Sequence, residues 1–260
     1  MVAMEWTYTS GFATSVATDA RQPSPITMSD ADTPPHPALD TLLSGMMAAA
    51  AGSGRPPARL LAVSKTQPAE AIAAVAAALR ARPAAGPVAF GENYVQEALA
   101  KQPALGGLGI EWHLIGHLQS NKAREAAAAF DWVQTVDRPK LVEALAKHRA
   151  PGQRPLNVLI QVNIDDEASK HGCRPDDIDA LAEAIAACPQ LALRGLMAIP
   201  APHPDMDRRH SAFRRMRALF DALATRHPGI DTLSMGMSED YALAIAEGAT
   251  LVRVGSALFG

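Results

Sequence analysis

With 260 residues, 48% of them apolar, and a net charge of −3, the chain can bury one large core and lacks the basic surplus of a general nucleic-acid binder. No stretch approaches the roughly 20 uninterrupted apolar residues of a membrane span. Only two cysteines, Cys173 and Cys188, are present and they form no CxxC pattern, so a soluble cytoplasmic protein with free thiols is expected.

Residues 1–37 are rich in Ser, Thr, Asp and Pro and read as a disordered extension bounded by Pro34-Pro35-His36-Pro37, with Met28 as an internal start. They contain no basic segment followed by an apolar block, so a secretory signal is not expected. Residues 38–260 read as a single folded unit.

Leu39, Leu42, Leu43, Met46 and Met47 recur at helical spacing across residues 38–51, and Gly52-Ser53-Gly54 ends that helix. Arg59-Leu-Leu-Ala-Val-Ser-Lys65 is an apolar run of strand length that terminates on an amine. Pro68 then opens an Ala-rich helix with Ile72, Val75 and Leu79 on one face. Further strands are expected at residues 87–90, 110–115, 132–136, 156–164, 191–199, 232–235 and 250–254. Helices fall between them, at residues 94–100, up to 130, 139–148, 176–187, 206–226 and 239–247. Ser238 is expected to cap the last of these, and the Arg208 to Arg217 cluster reads as a solvated helix face.

Eight strands alternating with helices fit an α/β fold, a single (β/α)8 TIM barrel, better than a doubly wound sheet. No GxGxxG or GxxxxGK[ST] follows any strand, which removes support for the nucleotide-binding version of the latter. In a barrel every strand ends at one mouth, which gathers Lys65, Asn93, His117, Asn163, Met197, Ser234, Gly236, Ser238, Arg253, Gly255 and Ser256. A lysine half-buried at a strand tip can lose its proton and attack a carbonyl. Ser234-Met-Gly-Met-Ser238 and Arg253-Val-Gly-Ser256, at strands seven and eight, supply backbone N–H groups, glycines and a helix start, which together suit a phosphate. An amine facing an anion cradle suits a phosphorylated aldehyde, and pyridoxal 5'-phosphate is the common cofactor of that description. His113 and His117 span a strand end and no carboxylate pair is near them in sequence, so no metal site is expected from them.

Six blocks in order make the chain resemble the pyridoxal-phosphate homeostasis proteins, the YggS or PROSC family, whose barrel is of the alanine racemase N-terminal type. They are Leu61-Ala-Val-Ser-Lys65, Phe90-Gly-Glu-Asn-Tyr-Val-Gln-Glu97, Trp112-His-Leu-Ile-Gly-His-Leu-Gln-Ser-Asn-Lys122, Arg194-Gly-Leu-Met-Ala-Ile199, Leu233-Ser-Met-Gly-Met-Ser238 and Val252-Arg-Val-Gly-Ser-Ala-Leu-Phe-Gly260. The resemblance implies a Schiff base on Lys65, phosphate on the Ser234 to Ser238 loop and on Gly255-Ser256, and Arg253 facing the pyridine nitrogen. The family pattern often continues as Ala-Arg-Asp-Tyr, whereas this chain ends at Gly260.

A permanent cation beside the ring nitrogen disfavours its protonation, so the ring would be a weak electron sink. Racemisation needs an acid/base group on each face of a planar intermediate, and no second domain follows strand eight to bring one. The expectation is therefore a monomeric, non-catalytic carrier in vitamin B6 homeostasis, with apo-enzymes that need the cofactor as its partners. An amino-acid racemase is the alternative.

Overall fold

The computed structural model describes residues 36–82, 85–167, 170–201 and 203–259. Eight parallel strands close into a barrel in sequence order. They are β1 Arg59–Val63, β2 Ala89–Glu92, β3 Glu111–Leu114, β4 Trp132–Val136, β5 Leu156–Gln161, β6 Leu191–Met197, β7 Thr232–Ser234 and β8 Leu251–Val254. Around them run α1 Pro37–Ser53, α2 Ala69–Arg80, α3 Val95–Lys101, α4 Ala123–Ala129, α5 Pro139–His148, α6 Ile178–Ala186, α7 Met206–Ala224, α8 Tyr241–Ala246 and α9 Ser256–Phe259. The (β/α)8 expectation is met. The expectation for residues 1–35 lies outside the described residues, while Pro37 opens α1 and His36 caps it: the His36 ring accepts a hydrogen bond of 3.2 Å from the Leu39 amide.

Alternation of side chains along each strand divides the core into two compartments. Leu60 and Ala62, Leu114, Val158 and Ile160, Leu196, Val252 and Val254 face outward into a continuous layer with the helices. The other parity faces the axis. There Leu61, Ala89 and Leu251 pack with Ile115, and Trp132 packs with Leu159 and Met197.

Several boundaries differ from the expected ones for identifiable reasons. β2 includes Gly91 and Glu92, which read as loop residues in sequence. A Cβ on Gly91 would stand 3.0 Å from Ile115 and 3.2 Å from Leu61, and the buried Glu92 carboxylate is held by Ser64 and Lys101. β5 ends at Gln161, where Val162, whose amide still donates to the Met197 carbonyl at 2.9 Å, also bridges Cys173 in the loop that follows. Ser238 caps nothing: α8 starts at Tyr241, after a turn in which Asp240 accepts from the Met237 amide at 2.6 Å. The residues after β8 form the short α9.

One glycine is indispensable to the sheet. Gly195 lies at the irregularity between β5 and β6 with φ +145°, and a Cβ there would collide with the Thr232 carbonyl on β7. Gly195→Ala is expected to lower unfolding free energy by about 2–4 kcal/mol in urea titrations.

Candidate functional site

Lys65 lies two residues beyond the end of β1 and is exposed rather than half-buried. Its ammonium makes no hydrogen bond or ion pair among the described residues. The backbone around it, by contrast, is tightly held. Ser64, fully buried, donates from Oγ to Glu92 Oε1 at 2.6 Å, and Lys101 Nζ donates to the Ser64 carbonyl at 3.0 Å. On the other side the Thr66 amide donates to Glu97, which Lys101 also binds at 2.6 Å. Thr66 has φ +63°, a conformation a β-branched residue adopts only under such restraint. The clamp therefore presents an unpartnered amine from a fixed turn. Burial raises the Glu92 pKa despite the Ser64 and Lys101 bonds, whereas Lys101 and the Thr66 amide hold Glu97 below the usual range.

β8 pairs with β1, and a Cβ on Gly255 would stand 3.0 Å from the Val63 carbonyl oxygen, so the end of β8 lies directly beside the Lys65 turn. The loop after β7 is tied to β8 by the Arg253 amide, which donates to the Gly236 carbonyl at 3.0 Å. Gly236 has φ +92° and packs so closely on Ala244 and Tyr241 of α8 that only glycine fits. Ser256 Oγ donates to Ser238 Oγ at 3.1 Å. Lys65, Gly236, Ser238, Gly255 and Ser256 thus converge on one arc of the mouth.

Ser234, Met197 and Arg253 lie deeper than strand-tip reasoning suggested. Met197 is fully buried against Trp132 and Leu159 in the barrel interior. Ser234, also fully buried, accepts from Arg253 Nη1 and donates to Gln134 Oε1, each at 2.7 Å. Arg253 is only 4% exposed, its Nη2 donating to the Ala198 carbonyl at 2.8 Å, and burial brings its pKa down to about 10, so it stays charged at neutral pH.

From Arg253 a polar chain crosses the barrel. Gln134 Nε2 donates to His113 Nδ1 at 2.8 Å, His113 Nε2 donates to Glu111 Oε1 at 2.8 Å, and Arg59 Nη2 donates to the same oxygen at 2.6 Å. The directions follow from the chemistry: Ser234 must donate to the Gln134 oxygen, which leaves the Gln134 amide nitrogen to donate and fixes the proton of a neutral His113 on Nε2. The His113 ring stacks on Trp132 at 5.1 Å. Burial lowers the His113 pKa. His113 and Arg59 together draw that of Glu111 down to about 2, against its partial burial.

Asn93 follows β2, and Gly116 lacks a Cβ because the Asn93 carbonyl fills that space. Asn93, Gly116, His117 and Lys122 line a cavity of about 360 Å³ away from the β7–β8 arc. Asn163 is committed to its own loop through Glu167, to whose carbonyl it donates at 2.8 Å. His117 is exposed, with its pKa lowered by partial burial and by His171, whereas His113 is fully buried in the barrel interior. Sequence reasoning missed Gln134, His113 and Glu111 as a unit. It also missed Gln161, whose buried Oε1 has no partner among the described residues.

Residues 41–260 match the family described as alanine racemase, N-terminal domain. A pyridoxal phosphate homeostasis protein of Pseudomonas aeruginosa is 54% identical over 82% of this chain and 89% of its own length. One from Escherichia coli is 51% identical over 82% of this chain and 90% of its own. Among solved structures, PipY of Synechococcus elongatus with PLP bound is 38% identical, with TM-score 0.69 over 86% of this chain and 99% of PipY. An alanine racemase of Clostridium difficile, 14% identical with TM-score 0.62 over 85% of this chain and 57% of its own, shares the fold.

Cutting the polar chain is expected to destabilise the barrel. Gln134→Ala strands the His113 ring nitrogen and the Ser234 hydroxyl, a loss of about 2–5 kcal/mol in denaturant titrations. Unfolding free energy should also fall with acid. The unfolded state takes up a proton on His113 below pH 6.5 that the folded state refuses. Glu111 is depressed on folding, so its contribution is present above 4.5 and lost as pH falls towards about 2; Glu111→Gln should flatten that lower part of the profile.

Proposed function

We propose that this chain, which belongs to the alanine racemase N-terminal domain family and within it to the pyridoxal phosphate homeostasis proteins, holds pyridoxal 5'-phosphate reversibly on Lys65 and serves vitamin B6 homeostasis in the cytoplasm without turning over a substrate. The observation that carries this reading is the clamped Lys65 turn, with its unpartnered amine one strand away from a glycine and serine cradle.

The residues fit the group. Pyridoxal phosphate, when bound, supplies an aldehyde that condenses reversibly with an amine and a phosphate that needs several donors. Lys65 offers the amine. Ser238 and Ser256 offer hydroxyls, while Gly236 and Gly255 let backbone amides approach an anion closely. Arg253, charged and directed by Ser234, is the deep cation under this arc, assigned here to the pyridine nitrogen. Ser234 and Met197 support the site from beneath, Ser234 by aiming Arg253 and Met197 by filling the interior. Asn93, which follows β2 beside β1, is assigned to the outer wall of the pocket, although its backbone packs on Gly116.

A non-catalytic role agrees with how the described tyrosines lie. Racemisation requires a second acid/base group poised over the ring. The Tyr241 hydroxyl packs against Gly45 of α1, outside the barrel, and Tyr94 is 65% exposed at the start of α3. A Lys65 amine open to water favours release and exchange, which suits delivery to apo-enzymes by a monomeric carrier.

Protein incubated with pyridoxal phosphate and reduced with borohydride is expected to carry the adduct on the peptide containing Lys65, and Lys65→Ala to carry none. Ser238→Ala with Ser256→Ala should weaken binding about 10- to 100-fold, the loss of one or two charge-assisted hydrogen bonds. Cofactor transfer to an apo-enzyme should outpace free release. An adduct on another lysine would overturn the site, and amino-acid turnover that disappears in Lys65→Ala would overturn the carrier reading.

A further inference from the structure

On the arc of the mouth opposite the Lys65 turn, β3, β4 and the loop after β5 bring together three side chains that the binding site above does not use. His117 follows β3, Asp137 follows β4, and His171 stands in the loop whose far end pairs with the end of β5. One ligand-capable atom from each lies within 4.8 Å of the other two. We infer that His117, Asp137 and His171 form a site for one divalent transition-metal ion of the zinc class.

The spacing suits a shared ion better than direct bonding. His117 Nδ1 and Asp137 Oδ2 are 3.9 Å apart, beyond hydrogen-bond range but close to the separation of two atoms each about 2.0–2.2 Å from the same ion. The His117 and His171 rings lie face to face with centroids 3.7 Å apart and planes at 14°. Neither ring makes a hydrogen bond among the described residues, so their nitrogens are available, and because both side chains are exposed, one ring can rotate out of the stack about its side-chain torsions to turn a nitrogen of each towards one point.

All three ligands stand on anchored backbone. Arg138 Nη1 holds Asp137 Oδ1 while its Nη2 donates to the Leu118 carbonyl at 2.9 Å, which leaves Oδ2 for a metal. Such an outer contact is the usual means of orienting a ligating carboxylate. His117 follows Gly116, whose carbonyl accepts from Thr135 Oγ1 at 3.0 Å and whose Cα abuts the Asn93 backbone. His171 precedes Gly172, with φ +119°, and Cys173, whose amide and carbonyl both bond the end of β5 at 2.9 Å.

Two imidazoles and one carboxylate select a borderline metal over Mg2+ or Ca2+, which prefer oxygen ligands throughout. Three protein ligands leave the ion a coordination position for water or for an oxygen of a small anion. The exposure of both histidines places that position at the open mouth.

The test uses full-length protein stripped with EDTA and dialysed against buffered Zn2+ without pyridoxal phosphate, so its result is independent of cofactor binding. One zinc per chain is expected by atomic emission, with affinity at least tenfold weaker in His171→Ala and in Asp137→Asn. Co2+ in place of zinc should give visible ligand-field bands that His171→Ala abolishes. Thermal melting of each variant identifies any loss caused by misfolding, and the variant that melts like the parent decides. Less than one zinc per chain, or undiminished binding in a well-folded variant, overturns the site.

Discussion

A guanidinium closed inside a parallel barrel has lost its water, and the interior of this protein is arranged around replacing it. Taking a cation out of water costs several kcal/mol even after relaxation, so Arg253 needs acceptors of fixed position. Ser234 and the Ala198 carbonyl provide them, and Gln134 and His113 pass the polarity on to Glu111, whose charge Arg59 balances. From Arg253 to His113 each donor faces the same way along the path, and Arg59 donates back to Glu111 from the far end; beside that end the buried Arg59 Nε and Trp132 Nε1 have no partner among the described residues. The arrangement requires β8, β7, β4, β3 and β1 in one register, which only the closed sheet supplies.

Against that rigid interior the rim is divided between fixed backbone and free side chain. The Lys65 turn is restrained on both sides, by Glu92 and Lys101 at Ser64 and by Glu97 at Thr66, yet its amine is exposed. Left-handed geometry at Thr66 costs about 1–3 kcal/mol, which the surrounding hydrogen bonds offset. Strain of this kind fixes the backbone of the strand tip while the Lys65 side chain stays exposed.

The fold was legible because the chain repeats one physical pattern: a short β-branched or apolar run, a polar tip, and a helix with apolar residues three and four apart. β4 and α5 match their expected limits because Asp137 and Pro139 punctuate them without ambiguity. β2 was harder to delimit, since Gly91 and Glu92 are poor strand formers in isolation and become acceptable only beside Leu61, Ile115, Ser64 and Lys101. The site residues at the rim were visible as types at strand ends. Their depth was not. Ser234 and Met197 end their strands, yet both lie below the surface because the stagger between neighbouring strands sets height along the axis, and stagger is a property of pairing that no single strand encodes. For the same reason His113 and Gln134, unremarkable within their own strands, meet only across the sheet.

The closed order of strands also explains how one mouth can hold two unlike chemistries. β7, β8 and β1 form one arc, with glycines, hydroxyls and an amine, while β3, β4 and β5 form the other, with imidazoles and a carboxylate. Below them the arcs are not independent, because His113 precedes His117 on β3 and its tip, Gln134 precedes Asp137 on β4 and its tip, and both inner residues belong to the path that ends at Arg253. A side chain that turns at either rim therefore rests on the same buried framework. Moving that framework would cost the desolvated hydrogen bonds of the whole series, so what happens at one arc is confined to side chains, and the other arc keeps its geometry.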